Sequence, residues 1–177
     1  VTAAQETETL AKETAEKAVA ALKEMYSGVT FTRMVWVFLI GSVIGYIVET
    51  LFCLAKLGFI ESRQGMLYGP FSQIYGFGAV MMVLLLTPFM KRGDKWLFFG
   101  GAVVGGVFEA VCSVIQELMF GTVSWEYSAH AFSLLGGRTN LIYMLFWGIL
   151  AFVYLKLIYP RMIQFIDNLA TRPKRFF

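Results

Sequence analysis

Between residues 34 and 159 the chain alternates long apolar runs with short polar gaps. Four runs reach the length of a bilayer-spanning helix, about 20 residues: residues 34–57, 71–90, 96–120 and 141–159. The first carries Glu49, and the third carries Glu109 and, nearer its end, Glu117. The second has no charge, and the fourth has Lys156 near its end. Ahead of them, residues 4–26 are rich in Ala, Glu, Lys and Thr, with a thin apolar stripe of Leu10, Val19, Leu22 and Met25. Lys12/Glu16 and Glu13/Lys17 stand four apart, as pairs along one helix face do. This predicts a solvated surface helix, with an interfacial or partner-binding helix as the alternative. Behind them, residues 161–177 mix Met162, Ile163, Phe165, Ile166 and Leu169 with basic side chains. Such a tail is expected to lie on the inner membrane surface, where basic residues meet anionic lipid.

The pattern predicts an all-α membrane protein with four transmembrane helices in two tandem helical hairpins, a parallel pseudo-repeat. The polar N-terminal helix falls in residues 1–32, and the transmembrane domain in 33–160. The hairpins are residues 34–90 and 96–159, and 161–177 is a short basic C-terminal helix.

A short motif supports the repeat. Gly41-Ser42-Val43-Ile44-Gly45-Tyr46-Ile47-Val48-Glu49 is matched sixty residues later by Gly101-Ala102-Val103-Val104-Gly105-Gly106-Val107-Phe108-Glu109. Both read G-x-x-x-G-x-x-x-E. Residues four apart share a helix face, so Gly41, Gly45, Glu49 and Cys53 form one stripe. Gly101, Gly105, Glu109, Ser113 and Glu117 form another. The glycines are expected to let a second backbone approach closely. The glutamates then point into a helix interface, toward each other or into one shared cavity. A carboxylate at membrane depth is costly and usually has a task or a partner. The pair suits proton or cation handling; an acid bonded to a tyrosine, serine or carbonyl in a purely structural role is the other reading. The match extends from Pro70-Phe71-Ser72 to Ala131-Phe132-Ser133. A pseudo-two-fold axis along the membrane normal is expected.

Composition agrees with the pattern. Hydrophobic residues make up 58% of the 177 and charged residues 15%, against about 45–50% and about 25% in soluble domains; the mean hydropathy is +0.65. Charge placement bears on orientation. Eleven Lys and Arg fall on the side of both termini and three, Lys56, Arg63 and Arg138, on the other. The positive-inside bias puts both termini in the cytoplasm, with Lys156 snorkelling inward. Residues 1–28 are polar and lack an apolar core, so no signal peptide is expected there. Cys53 and Cys112 have no metal-ligand spacing and read as buried, inert thiols.

The segments on the far side carry the remaining candidates. Gly65, Gly69 and Pro70 break regular structure between Arg63 and Gly76. Tyr68, Phe71 and Tyr75 suit interface depth. Either a re-entrant segment lining a cavity or an interfacial turn fits. Thr139 or Asn140 is suited to cap the fourth helix. Arg138 can pair with Glu126, Glu117 or an anionic substrate. His130, the single histidine, reads as incidental. The substrate- or ion-binding set is therefore Glu49, Glu109, Arg63, Arg138, Asn140, Tyr68 and Tyr75, with Gly41, Gly45, Gly101 and Gly105 for packing.

No P-loop, H-E-x-x-H or G-x-S-x-G motif occurs, and no Cys or His cluster. No catalytic residues, metal or cofactor are expected, and no nucleic-acid partner.

Gly45-Tyr46-Ile47-Val48-Glu49, the run from Glu61 through Arg63, Tyr68, Gly69, Pro70 and Ser72, and Ile74-Tyr75-Gly76-Phe77-Gly78 are distinctive. So are Gly136-Gly137-Arg138-Thr139-Asn140-Leu141 and Phe146-Trp147-Gly148. Over about residues 35–160 the chain resembles the bacterial membrane-protein family labelled Putative ABC-transporter type IV, or CmpB-like. The resemblance implies an ABC-associated membrane subunit and carries over no catalytic residue.

Three functions follow as expectations. The first is a small transport protein of the bacterial cytoplasmic membrane, working as a homo-oligomer, with Glu49 and Glu109 handling protons or cations. The second is a permease-type subunit needing a separate ATPase. The third is a channel, a scaffold or an enzyme on lipid-linked substrates.

Overall fold

The computed structural model describes residues 3–60 and 69–171. It divides into two units, residues 1–30 and 31–177.

The first unit is helix α1, Ala3–Met25. Its apolar residues Leu10, Val19 and Leu22 are exposed. Lys17 pairs with Glu13 as expected, at 2.6 Å, whereas Lys12 pairs with Glu8 rather than Glu16, also at 2.6 Å. Both pairs place the acid four residues before the base, the better order on a helix.

The second unit holds four helices long and apolar enough to cross a bilayer, so this is a multi-pass membrane protein. Without water, every backbone polar group must be bonded internally, and helices do this within one segment. They are α2 (Phe31–Leu57), α3 (Gln73–Met90), α4 (Asp94–Phe120) and a fourth that begins as α5 (Leu141–Val153) and continues to Leu169. A π-helical turn, Tyr154–Ile158, joins α5 to α6, Tyr159–Thr171. The fourth span therefore runs past residue 159, and the C-terminal helix continues it. Strands β1 (Ser133–Leu134) and β2 (Thr139–Asn140) form a small antiparallel hairpin ahead of α5, pairing Ser133 with Asn140 and Leu134 with Thr139.

The helices form two hairpins, α2 with α3 and α4 with α5, joined where α3 packs on α4. Both hairpins close through small residues. A Cβ on Gly41 would stand 2.8 Å from that of Ala79, and one on Gly45 would overlap Tyr75. A Cβ on Gly101 would overlap Ala151, and one on Gly105 would overlap Trp147. Opposite them, Gly76 lies against the Phe38 carbonyl and Gly148 against the Phe98 carbonyl. The partner signals Tyr75-Gly76-x-x-Ala79 and Trp147-Gly148-x-x-Ala151 are legible afterwards in the sequence. The expected pairing of Pro70-Phe71-Ser72 with Ala131-Phe132-Ser133 is not the one these contacts trace. Ser72 directly precedes α3, whereas Ser133 lies in β1, well ahead of α5.

Between the glycine layer and the α3–α4 turn lies the dense core: Val37, Met82, Val83, Leu86, Leu97, Ala151 and Leu155, all 0–1% exposed. On α4, Val103, Val107, Val111 and Ile115 step by four along an exposed stripe, the face for lipid. On α6, Met162 and Ile166 are buried where the helix meets α2. Asp167 accepts from Arg33 twice through Nη2, at 2.8 and 2.9 Å, and once through Nε at 3.1 Å. Part of the amphipathic tail is thus spent on the protein, not on a lipid surface. Lys156 ion-pairs with Asp94 at 2.8 Å, at the start of α4.

Candidate functional site

The ascending helices outrun their partners. Tyr75, on the first turn of α3, is level with Gly45, and α2 continues to Leu57. The chain then returns, because the Ser72 N–H donates to the Ser42 carbonyl at 3.0 Å. Ser42 lies fifteen residues before the end of α2, a descent of about 22 Å at 1.5 Å per residue. Residues 61–68, in the segment where a re-entrant path or an interfacial turn is expected, lie outside the described residues. In the other hairpin, α4 ends at Phe120 with Gly121 in a left-handed conformation (φ 67°), whose N–H closes the helix on Glu117. The loop after it folds back to Glu109.

That return is built by hydrogen bonds. The Tyr127 hydroxyl donates to Glu109 Oε1 at 2.8 Å, and the Thr139 hydroxyl donates to Oε2 at 2.8 Å. Glu109 is 8% exposed, and both its oxygens are engaged. One turn on, Arg138 donates to Ser113 Oγ at 3.3 Å and ion-pairs with Glu117. The Arg138 carbonyl accepts from Trp125 Nε1 at 3.2 Å, and the Gly137 carbonyl from the Tyr127 N–H at 2.9 Å. Gly137 has φ 86°, and a Cβ there would run into Glu126 and Ser128, so the turn calls for glycine. Asn140 caps α5, its Oδ1 accepting from the Ile142 N–H at 2.9 Å, while its Nδ2 donates to the Ala131 carbonyl at 2.7 Å. Burial first, and the Glu109 carboxylate second, push the Tyr127 phenol well above the usual tyrosine range. Glu126, on the exposed edge, is held below the usual carboxylate range by hydrogen bonds from the Ser128 side chain and N–H.

Beyond the glycine layer a cavity of about 1010 Å³ lies between the hairpins. The extended part of α2 gives it Glu49, Phe52, Cys53 and Lys56; α4 gives Phe108, Glu109 and Gln116. The beginnings of α3 and α5 give Ser72, Tyr75, Tyr143 and Trp147, and the folded loop gives Trp125 and Tyr127. The sequence expectation that both glutamates face one cavity matches this lining. Of the other expected site residues, Tyr75 lines the cavity. Arg138 and Asn140 do not; they are engaged in holding the loop. Arg63 and Tyr68 lie outside the described residues. Sequence reasoning missed Tyr127 and Thr139 as partners of Glu109, and Lys56, Tyr143 and Trp147 as lining. Nothing in their local pattern pairs a loop tyrosine with a carboxylate eighteen residues earlier. Among the described residues no group of three His, Cys, Asp or Glu could hold a metal ion.

No curated protein and no solved structure matches this chain. One family does, over residues 36–177, which takes in all four candidate spans except the first turn of α2, together with the cavity and the folded loop. The resemblance carried by the Gly45–Glu49 motif, the Gly69-Pro70 segment and Gly136-Gly137-Arg138 therefore holds, and the chain belongs to the family described as Putative ABC-transporter type IV.

Proposed function

We propose that this protein is a small membrane transport protein whose solute site is the cavity between the two hairpins. The observation that carries the reading is that both glutamates of the matched motifs line one large cavity. The two have different tasks. Glu109 is the anchor of the folded loop, because two hydroxyls hold its oxygens. Glu49 is the group that meets a proton or a cationic solute. The matched glycine contacts of the two hairpins support an internal duplication, in which one copy of the acid has kept the binding task and the other has become structural. The protein acts as a homo-oligomer in the bacterial cytoplasmic membrane, with both termini inside, and it catalyses no covalent reaction.

The test is solute-coupled proton flux in proteoliposomes. Glu49→Gln abolishes coupled flux, with thermal unfolding measured alongside to show that the variant is folded. Undiminished flux in that variant sinks the reading.

The family description supports a second reading, a permease-type subunit driven by a separate ATPase. Native mass spectrometry of protein released gently from its own membrane separates the two. A co-eluting chain that hydrolyses ATP favours the subunit, and a homo-oligomer alone favours the autonomous transporter.

A further inference from the structure

We infer that the cavity takes a bulky organic cation, a lipophilic ammonium or phosphonium in class. The inference rests on the transport reading only for treating the cavity as a solute site. The wall is aromatic in two continuous panels. Tyr75, Trp147 and Phe108 form one, with ring centroids 6.4 and 6.2 Å apart. Tyr127 and Tyr143 stack at 4.7 Å, and Phe146 follows at 6.2 Å. Aromatic faces are negative, and they attract a weakly hydrated cation most where water is scarce. Two acidic side chains, Glu49 and Glu109, add acceptor oxygens and no donor of positive charge to the lining. The single basic lining residue among those described, Lys56, is exposed and sits in the last turn of α2.

The alternatives fit less well. An anion would meet both carboxylates. A hard metal ion needs several converging oxygen ligands, and the described residues offer no such cluster. The volume, about 1010 Å³, is that of a small-molecule site, for which ~300–1,000 Å³ is usual; a proton or bare ion has no use for it. Panels of aromatic rings beside an acid match a solute that is both apolar and positive.

The test is equilibrium dialysis of labelled tetraphenylphosphonium against the full chain in mild detergent, corrected for empty micelles. Tetraphenylborate, nearly the same size and opposite in charge, is the competitor. Saturable phosphonium binding that tetraphenylborate fails to displace is expected. Glu49→Gln weakens it about tenfold, and Lys56→Met tightens it about threefold by removing the opposing charge. Equal competition by tetraphenylborate overturns the inference. So does unchanged affinity in Lys56→Met, a variant at an exposed position whose folding is not at stake. Charge-selective binding without flux in proteoliposomes upholds this inference and removes the transport reading. Glu49-dependent flux without phosphonium binding does the reverse.

Discussion

Gly45 and Gly105 each admit a large aromatic ring where any side chain would collide. Gly45→Ala drives a methyl into Tyr75, and Gly105→Ala drives one into Trp147. Each substitution is expected to cost about 1–3 kcal/mol, as overpacking does, read as a lowered melting temperature in detergent. Gly100→Ala is the matched control, because its new methyl presses only lightly on the end of the Leu86 side chain, at 3.2 Å, and makes ordinary contact with Phe89. Equal melting of all three variants would refute the close-packed glycine layer. Tyr127→Phe removes one bond to Glu109 and is expected to cost about 1 kcal/mol. Glu109→Gln keeps an acceptor, and its amide N–H can donate to the other hydroxyl, since hydroxyls both give and take. Glu109→Leu leaves the buried Thr139 hydroxyl and the half-buried Tyr127 hydroxyl facing an apolar side chain. The leucine variant alone should make the loop cleavable by protease.

Tyr127 also sets a pH dependence. Its folded pKa is raised, so the native state keeps this proton when the unfolded chain gives it up. An ordinary tyrosine titrates near 10. Stability from this group is therefore complete below about pH 10 and falls as the pH rises above that. Tyr127→Phe should flatten the alkaline part of the stability–pH curve. A curve of unchanged slope would count against the buried Tyr127–Glu109 contact.

At the scale of elements, the contact between α2 and α6 is the clearest test of how the C-terminal helix is held. The Arg33–Asp167 pair is bidentate, the strong geometry for such pairs, but its side chains remain 28% and 45% exposed. Solvent screening limits its worth to less than about 1 kcal/mol. Arg33→Asp and Asp167→Arg are each expected to raise proteolysis at α6, and the double exchange to restore protection. Failure of the exchange would mean that Met162 and Ile166 hold α6 alone. The π-helical turn lies where α5 passes into α6, with Pro160 two residues beyond it. π-bulges are common points of bending.

For the whole molecule, the long α2 and α4 beside the shorter α3 and α5 leave room at one end of the bundle. The chain fills part of that room by folding the loop after α4 back onto Glu109. Both termini are expected on the cytoplasmic side. Cysteines placed at Thr7 and Thr122 should differ in access to an impermeant thiol reagent in intact cells, with Thr122 modified and Thr7 protected. Modification at Thr7 would invert the orientation and put the cavity mouth in the cytoplasm.

The sequence alone determined the four spans, the two hairpins and the glycine–glutamate stripes. Burial of apolar side chains and helix periodicity act within single segments, so both are written in local order. Asn140 as a helix cap was legible for the same reason. What tertiary structure decided is who meets whom. Tyr127 and Thr139 reach Glu109, and Arg138 chooses Glu117 over Glu126, because a loop folds back along α4. Its path is set by positive φ at Leu135, Gly136 and Gly137 and by many bonds closing together. Lys56, Tyr143 and Trp147 become cavity lining only because α2 and α4 outrun their partners. That offset is fixed by where Tyr75 and Trp147 lock against glycines on the facing helices, a distance across the fold that no local pattern encodes.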